Sequence, residues 1–217
     1  ADDSNGSTLD ESFTVTVTPV NDPVTLTAAI ADYPVLEDAV PTTIDLNNIF
    51  DDIDILNGDA SQTLTYSVVS NSNSGLATTN IDGNGVLTVT YTSDDNGSAT
   101  IIVRADDSNG STLDESFTVT VTVVNDAPVV TDVPDETIAE GGTFTTISLN
   151  DYVSDTETVD ADIVWTYSGN SNLTVSITSQ VASITTPTDW NGNETITFTA
   201  TDTGDGSDVA KSDSDNA

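Results

Sequence analysis

Asparagine and carboxylate side chains recur in short patterns, and each pattern occurs twice along the chain. A Val-Asn-Asp ahead of proline stands at Val20-Asn21-Asp22-Pro23 and again at Val124-Asn125-Asp126-Ala127-Pro128. An acid-x-acid pair stands at Asp52-Ile53-Asp54 and at Asp155-Thr156-Glu157. An Ala-x-Asp stands at Ala105-Asp106-Asp107 and Ala200-Thr201-Asp202, and an early Glu at Glu37 and Glu140. These groups offer hard, mostly anionic oxygen, the donor class that Ca2+ gathers in sets of six to eight. Histidine and cysteine are absent from the sequence, which removes imidazole acid–base chemistry and thiolate nucleophiles. A carboxylate-pair glycosidase is the one inexpensive catalytic option left, and it needs a cleft. The reading is therefore non-catalytic.

The charge balance points the same way. The 217 residues hold 37 Asp and Glu against 2 Lys and Arg (Arg104 and Lys211), a formal charge of −35. Self-repulsion at that charge opposes a compact state, and divalent cations are its natural remedy. A polyanion cannot neutralise phosphates, so nucleic acid and anionic membrane surfaces are excluded as partners. No apolar run approaches the ~20 residues of a membrane helix. No signal peptide is visible, so the sequence reads as a mature or excised piece. Such a surface suits a calcium-rich or saline exterior, which places the chain outside the cell or on its surface.

High charge with modest hydrophobicity favours disorder, but the apolar residues alternate rather than scatter. In Phe117-Thr118-Val119-Thr120-Val121-Thr122-Val123, Phe and Val share one face and Thr the other, as in a half-buried strand. Similar segments run over 63–69, 85–91, 99–104 and 115–124, then 143–149, 163–167, 173–178 and 194–201. Turn signals such as Asp82-Gly83-Asn84-Gly85 and Asp94-Asp95-Asn96-Gly97 separate them. Asp82, Asp94 and Asp151 read as turn-capping residues. No segment carries a 3.6-residue apolar stripe. The fold class is all-β, with about seven short strands per ~100 residues, as in immunoglobulin-like Greek-key β-sandwiches.

The sequence also repeats itself. Ala1–Thr18 and Ala105–Thr122 are identical, a period of 104 residues. Residues 1–23 are then the end of one repeat, with an orphan last strand over Glu11–Val20; 24–128 are a complete sandwich; 129–217 are a second sandwich lacking its last strand. In that register Ser214-Asp215-Asn216-Ala217 stands where the first repeat has Leu113-Asp114-Glu115-Ser116. Two accounts compete. The sequence is a window from a longer tandem array that supplies the strand in cis, or Glu11, Phe13, Val15, Val17 and Val20 of one molecule complete the open sandwich of the next. The second would build a head-to-tail filament.

The ordered set of Val-Asn-Asp, early Glu, Asp-x-Asp and Ala-x-Asp resembles cadherin-like repeats, in particular the bacterial tandem repeats of giant repeats-in-toxin surface adhesins. The resemblance covers essentially the whole chain. It implies Ca2+ at each junction between repeats, held by one repeat's base, the linker and the next repeat's top. At the central junction it implies Glu37, Asn125, Asp126, Asp155, Glu157 and Asp202 as ligands. At the N-terminal junction it implies Asn21, Asp22, Asp52, Asp54 and Asp107, while Glu140 serves a junction beyond the C-terminal repeat. No counterpart of the Asp-Arg-Glu motif of vertebrate cadherins is found, so one, two or three ions per junction remain open. The implied role is a calcium-rigidified, secreted stalk on a bacterial exterior, whose partners are neighbouring repeats or identical subunits. A further alternative is a carbohydrate-binding module using Trp190, which sits in a turn where it can stack on a sugar; Trp165 is read as core.

Overall fold

The computed structural model describes residues 4–6, 10–18, 20–58, 62–204 and 208–217. Its first unit contains β1 (Thr25–Leu26), β2 (Tyr33–Leu36), β3 (Thr42–Asp45), β4 (Phe50–Asp51) and one helical turn, α1 (Ile53–Leu56). Then come β5 (Thr65–Asn71), β6 (Ala77–Ile81), β7 (Val86–Tyr91), β8 (Gly97–Asp106) and β9 (Thr112–Thr122). The second unit contains β10 (Val129–Val130), β11 (Ile147–Ser148), β12 (Val153–Ser154) and β13 (Val164–Ser168). It ends with β14 (Thr174–Thr178), β15 (Val181–Thr185), β16 (Thr197–Thr201) and β17 (Ser212–Asn216).

Both units use one plan. In the first, a sheet ordered β2-β9-β8-β5 accompanies a sheet ordered β3-β7-β6, with a short β1-β4 ladder. The second has β13-β16-β17, without a counterpart of β2 among the described residues, together with β11-β15-β14 and β10-β12. Pairing is antiparallel except that β2 runs parallel to β9, from Tyr33 opposite Val119 to Leu36 opposite Thr122. Each unit has its own core. Val24, Leu46, Phe50, Leu87, Ile101 and Phe117 belong to the first; Val133, Leu149, Trp165, Val175, Ile196 and Phe198 belong to the second.

Period-2 patterning explains the strongest strands. Along β9 the inward residues Phe117, Val119 and Val121 are 2%, 0% and 3% exposed. Burying each such side chain stabilises by roughly 1.5–3 kcal/mol, which holds the register against a one-residue slip. The β6–β7 turn is fixed by chemistry rather than burial. Asp82 Oδ1 accepts the N–H groups of Asn84 and Val86, each at 2.9 Å. Gly85 follows at φ +82, where an added Cβ would lie 2.8 Å from the Tyr66 ring, so only glycine fits.

The two ends of the chain depart from the sequence expectation. Residues 10–18 are identical in sequence to residues 114–122 of β9, yet no strand forms there. Phe13, Val15, Val17 and Val20 are 86%, 72%, 86% and 79% exposed, because no neighbouring strand covers them. Residues 1–3, 7–9 and 19 of that expected terminal segment lie outside the described residues. Conversely, the second unit does not wholly lack its last strand. Its first half is β17, paired with β16 from Ser212 opposite Thr201 to Asn216 opposite Thr197.

The register of β17 also corrects the sequence alignment by one residue. Asp215 accepts the Val133 N–H at 2.8 Å, as Glu115 accepts that of Ile30 at 3.3 Å, so Asp215 stands in the place of Glu115. Ser-Asp-Ser-Asp carries no apolar alternation, and its strand is held instead by the β16 backbone and by carboxylates turned back onto β10; Asp213 takes the Val130 N–H at 2.8 Å. Beside Ala217 the second unit has an open groove, lined by Phe144, Ile147, Leu173, Ile184, Trp190 and Ile196. Trp190 is half-buried there against the core rather than displayed on an open face.

Glu194 organises the loop before β14. Its carboxylate accepts the N–H groups of Ser171 (2.8 Å), Asn172 (2.6 Å) and Leu173 (3.1 Å), and the Asn172 amide at 2.7 Å. The Ser171 bond is the strongest influence, burial opposes it and the others add to it, so the carboxyl falls from its ordinary 4.5 to about 2. A depressed carboxyl adds stability above its unfolded value and loses it as the pH falls toward the folded one. Denaturant unfolding at stepped pH should therefore show Glu194→Gln less stable than the parent above pH ~4.5, with the gap closing toward pH ~2. A gap independent of pH would contradict the assignment.

Candidate metal centre

The linker between the units places its polar groups against both of them. Val124 donates its backbone N–H to Glu37 Oε1 of the first unit at 2.6 Å. Asn125 Nδ2 donates to Asp202 Oδ2 of the second at 3.1 Å, and the Asp126 N–H donates to Glu157 Oε2 at 3.0 Å. Asp155 Oδ1 accepts the N–H groups of Glu157 (2.9 Å) and Thr158 (2.6 Å), an Asx-type turn that presents Glu157. Asp202 Oδ1 likewise accepts from Gly204 at 2.8 Å and Lys211 at 3.0 Å. Ligand-type side chains are thus held from behind, by backbone, with oxygen left over.

The N-terminal junction repeats the pattern one period earlier. Asn21 Nδ2 donates to Asp107 Oδ2 at 2.9 Å, and the Asp22 N–H to Asp54 Oδ2 at 2.8 Å. Asp52 caps α1, its Oδ1 accepting the Asp54 N–H at 2.8 Å. Asp107 Oδ1 accepts from Asn109 (2.8 Å) and Ser111 (2.9 Å). Gln62, which sequence reasoning did not single out, reaches Asp54 Oδ2 through its Nε2 at 3.3 Å.

Burial distinguishes these residues from the rest of an acidic surface. Among the described residues, the buried polar or charged side chains are Glu37, Asp52, Asp54, Gln62, Asp107, Asn125, Thr158 and Asp202. Six of these eight are residues singled out from the sequence. Acidic side chains are rarely buried without a partner, and dry anionic oxygen is costly. Asp52 Oδ2, Asn125 Oδ1, Asp155 Oδ2 and Gln62 Oε1 are buried with no hydrogen-bond partner among the described residues.

Two carboxylate groups have a spacing that suits one ion. Oxygens of Glu37, Asp126 and Glu157 lie within 4.8 Å of one another, as do those of Asp38, Asp94 and Asp126. Ligands on opposite sides of Ca2+, each at about 2.4 Å, stand about 4.8 Å apart. The donor set therefore fits a hard divalent cation. Asp94, a turn cap by its sequence, and Asp38, which the sequence does not mark, both come to the linker beside Asp126. Both adopt left-handed backbone, φ 59 for Asp38 and φ 55 for Asp94. A signal existed, since Asp94-Asp95-Asn96-Gly97 recurs as Asp189-Trp190-Asn191-Gly192 with Asp189 at φ 59. Glu140 is exposed and joins neither carboxylate group.

Electrostatics marks the crowding. Burial, followed by the charges of Asp126, Asp155 and Glu37, raises the Glu157 carboxyl, although the Asp126 N–H pulls the other way. At Asp107 burial also raises, but the Asn21 amide and the N–H groups of Ser111, Asn109 and Gly110 outweigh it, and the carboxyl falls. Asp202 is lowered by the same balance, with Lys211, Asn125 and Gly204 opposing burial. One end of the junction is thus repulsive and the other already well compensated.

Comparison with known proteins is informative about fold. No family model matches the chain, and neither does any curated protein. Among solved structures, the protocadherin fragment PcdhgB3 EC1-4 is similar at 18% identity and a TM-score of 0.51, over 90% of this chain and 48% of that one. Protocadherin gamma B7 extracellular cadherin domains 1–4 give 20% identity and a TM-score of 0.48 over 90% and 48%. The endo-fucoidan hydrolase MfFcnA4, of glycoside hydrolase family 107, gives 19% identity and a TM-score of 0.37 over 93% and 29%. The chain thus spans about half the length of each protocadherin fragment. Its architecture is that of tandem cadherin-like β-sandwiches.

Proposed function

We propose that this chain is a non-catalytic extracellular stalk segment, of the kind found in bacterial surface adhesins, whose repeats are locked end to end by Ca2+ at their junctions. The observation that carries this reading is the buried, incompletely bonded oxygen set at the linkers, above all Asp52 Oδ2, Asn125 Oδ1 and Asp155 Oδ2. At the central junction, Glu37, Asp38, Asp94, Asp126 and Glu157 would hold the ion, with Asp155 presenting Glu157, and Asn125 and Asp202 flank that set. Asn21, Asp22, Asp52, Asp54 and Asp107 would do the same at the N-terminal junction. The ion supplies positive charge and a shared coordination shell; the chain's own residues fix the angle between units. Identical blocks along one polypeptide suit a spacer, in which length follows copy number.

Calorimetry and small-angle scattering with and without chelator test this. Ca2+ at 100 times its Kd adds about 2.7 kcal/mol per site, so EDTA should lower Tm by several degrees and broaden the distribution of interdomain angles. Indifference to EDTA would remove the calcium reading. Asp94→Asn should weaken Ca2+ binding about tenfold by loss of one charged ligand. Its chelated stability should stay that of the parent, since Asp94 is exposed and Asn tolerates left-handed backbone.

A second reading, strand donation between copies, is favoured by a separate observation. Phe13, Val15 and Val17 present an uncovered apolar face, and the same sequence at Phe117, Val119 and Val121 fills the first unit. The second unit's groove beside Ala217 is the corresponding place. The 217-residue chain should then form concentration-dependent assemblies in sedimentation velocity, abolished by Phe13→Asp with Val15→Asp. A monomer at every concentration would overturn strand donation between copies.

A further inference from the structure

The two junctions differ at one residue of opposite charge. Arg104 and Lys211 are the only cationic side chains in the sequence. Arg104 is spent on a bidentate pair with Asp114, at 2.6 and 2.7 Å, on the outer face of β8 and β9. Lys211 lies at the central junction. It stands where the first unit has Ser111, because the backbone N–H of each donates to the Ala-x-Asp carboxylate: Ser111 to Asp107 at 2.9 Å, Lys211 to Asp202 at 3.0 Å. Their side chains then diverge. Ser111 Oγ accepts the Val24 N–H at 3.0 Å, whereas Lys211 Nζ donates to the backbone carbonyl of Asn125.

Asn125 is the pivot of that end of the junction. It is fully buried, its amide nitrogen bonds Asp202 Oδ2 at 3.1 Å and the Val209 carbonyl at 3.3 Å, and its Oδ1 has no partner among the described residues. An unpartnered buried oxygen beside a carboxylate calls for a cation, and the Lys211 ammonium sits on the backbone carbonyl of the same residue without bonding Oδ1. The Glu37–Asp126–Glu157 group, by contrast, contains no cationic side chain.

We infer that Lys211 is a resident monovalent cation that takes the place of one divalent ion at the Asn125–Asp202 end of the central junction, leaving the Glu37–Asp126–Glu157 end to Ca2+. This rests on the calcium reading of the junction. The ammonium acts in two ways: it bonds the Asn125 carbonyl, and its charge repels a second cation at that end of the junction. It supplies three donors on a flexible stem and binds without being drawn from solution. The central junction therefore keeps part of its closure when calcium is removed, and it holds fewer ions than its acidic residues alone suggest.

Lys211→Ser restores the residue found at the equivalent position of the first unit and keeps the backbone N–H that bonds Asp202. The Lys211 side chain is otherwise exposed, so the variant is expected to fold. Native mass spectrometry and calorimetric titration with CaCl2 on the 217-residue chain read the outcome. Lys211→Ser and Lys211→Gln should each bind one more Ca2+ per chain than the parent, while Lys211→Arg keeps the parental number. Equal numbers and superimposed isotherms for parent and Lys211→Ser would overturn the inference while leaving the calcium junction standing. Absence of Ca2+ from parent and variants alike would overturn both.

Discussion

Desolvated carboxylate at the linkers is the constraint on which the arrangement of the chain turns. Glu37, Asp107 and Asp202 are buried in a molecule with two cationic side chains, one of them paired on an outer face. Hydrogen bonds from the Asn21 and Asn125 amides and from backbone N–H groups outweigh the cost of burial at Asp107 and Asp202, and draw both carboxyls below their ordinary value. They offset less at Glu157, where three other acids crowd one carboxyl. Acidic groups of both units thus meet at the junction, where residues 124–126 bond to each.

Much of this was legible in the sequence, for physical reasons that differ by element. The all-β class could be read because Phe, Val and Thr alternate in β9 and Val, Leu and Tyr in β7, and period 2 has no helical counterpart. The residues that meet at the linkers stand out in the sequence because each oxygen-bearing pattern occurs twice in the same order. Asp38 and Asp94 escaped because their participation depends on left-handed backbone and on chain reversal that bring separate turns together. The strand β17 escaped because its stabilisation comes from β16 and from Asp213 and Asp215 reaching back to the β10 region, none of which leaves an apolar signature.

The identical blocks provide an internal control on how far local sequence determines structure. Residues 114–122 lie in a strand with a dry inner face, and residues 10–18, the same nine letters, lie unpaired with their valines in water. Strand propensity here is a capacity to fit a neighbour rather than an intrinsic preference of the backbone. The neighbours in question are β8 and β2, and through them the core of the first unit.

The parallel pairing of β2 with β9 has a mechanical consequence. The two strands lie side by side with the same polarity, and the Glu37 N–H continues their ladder to the Thr122 carbonyl at 2.9 Å. Tension along the polypeptide draws β2 toward its own start and β9 toward its own end. The load thus falls on the interstrand bonds in shear, and evenly spaced bonds in shear must yield together instead of peeling one after another. A sandwich strung in this way resists extension most strongly at the strand that leads into the next linker.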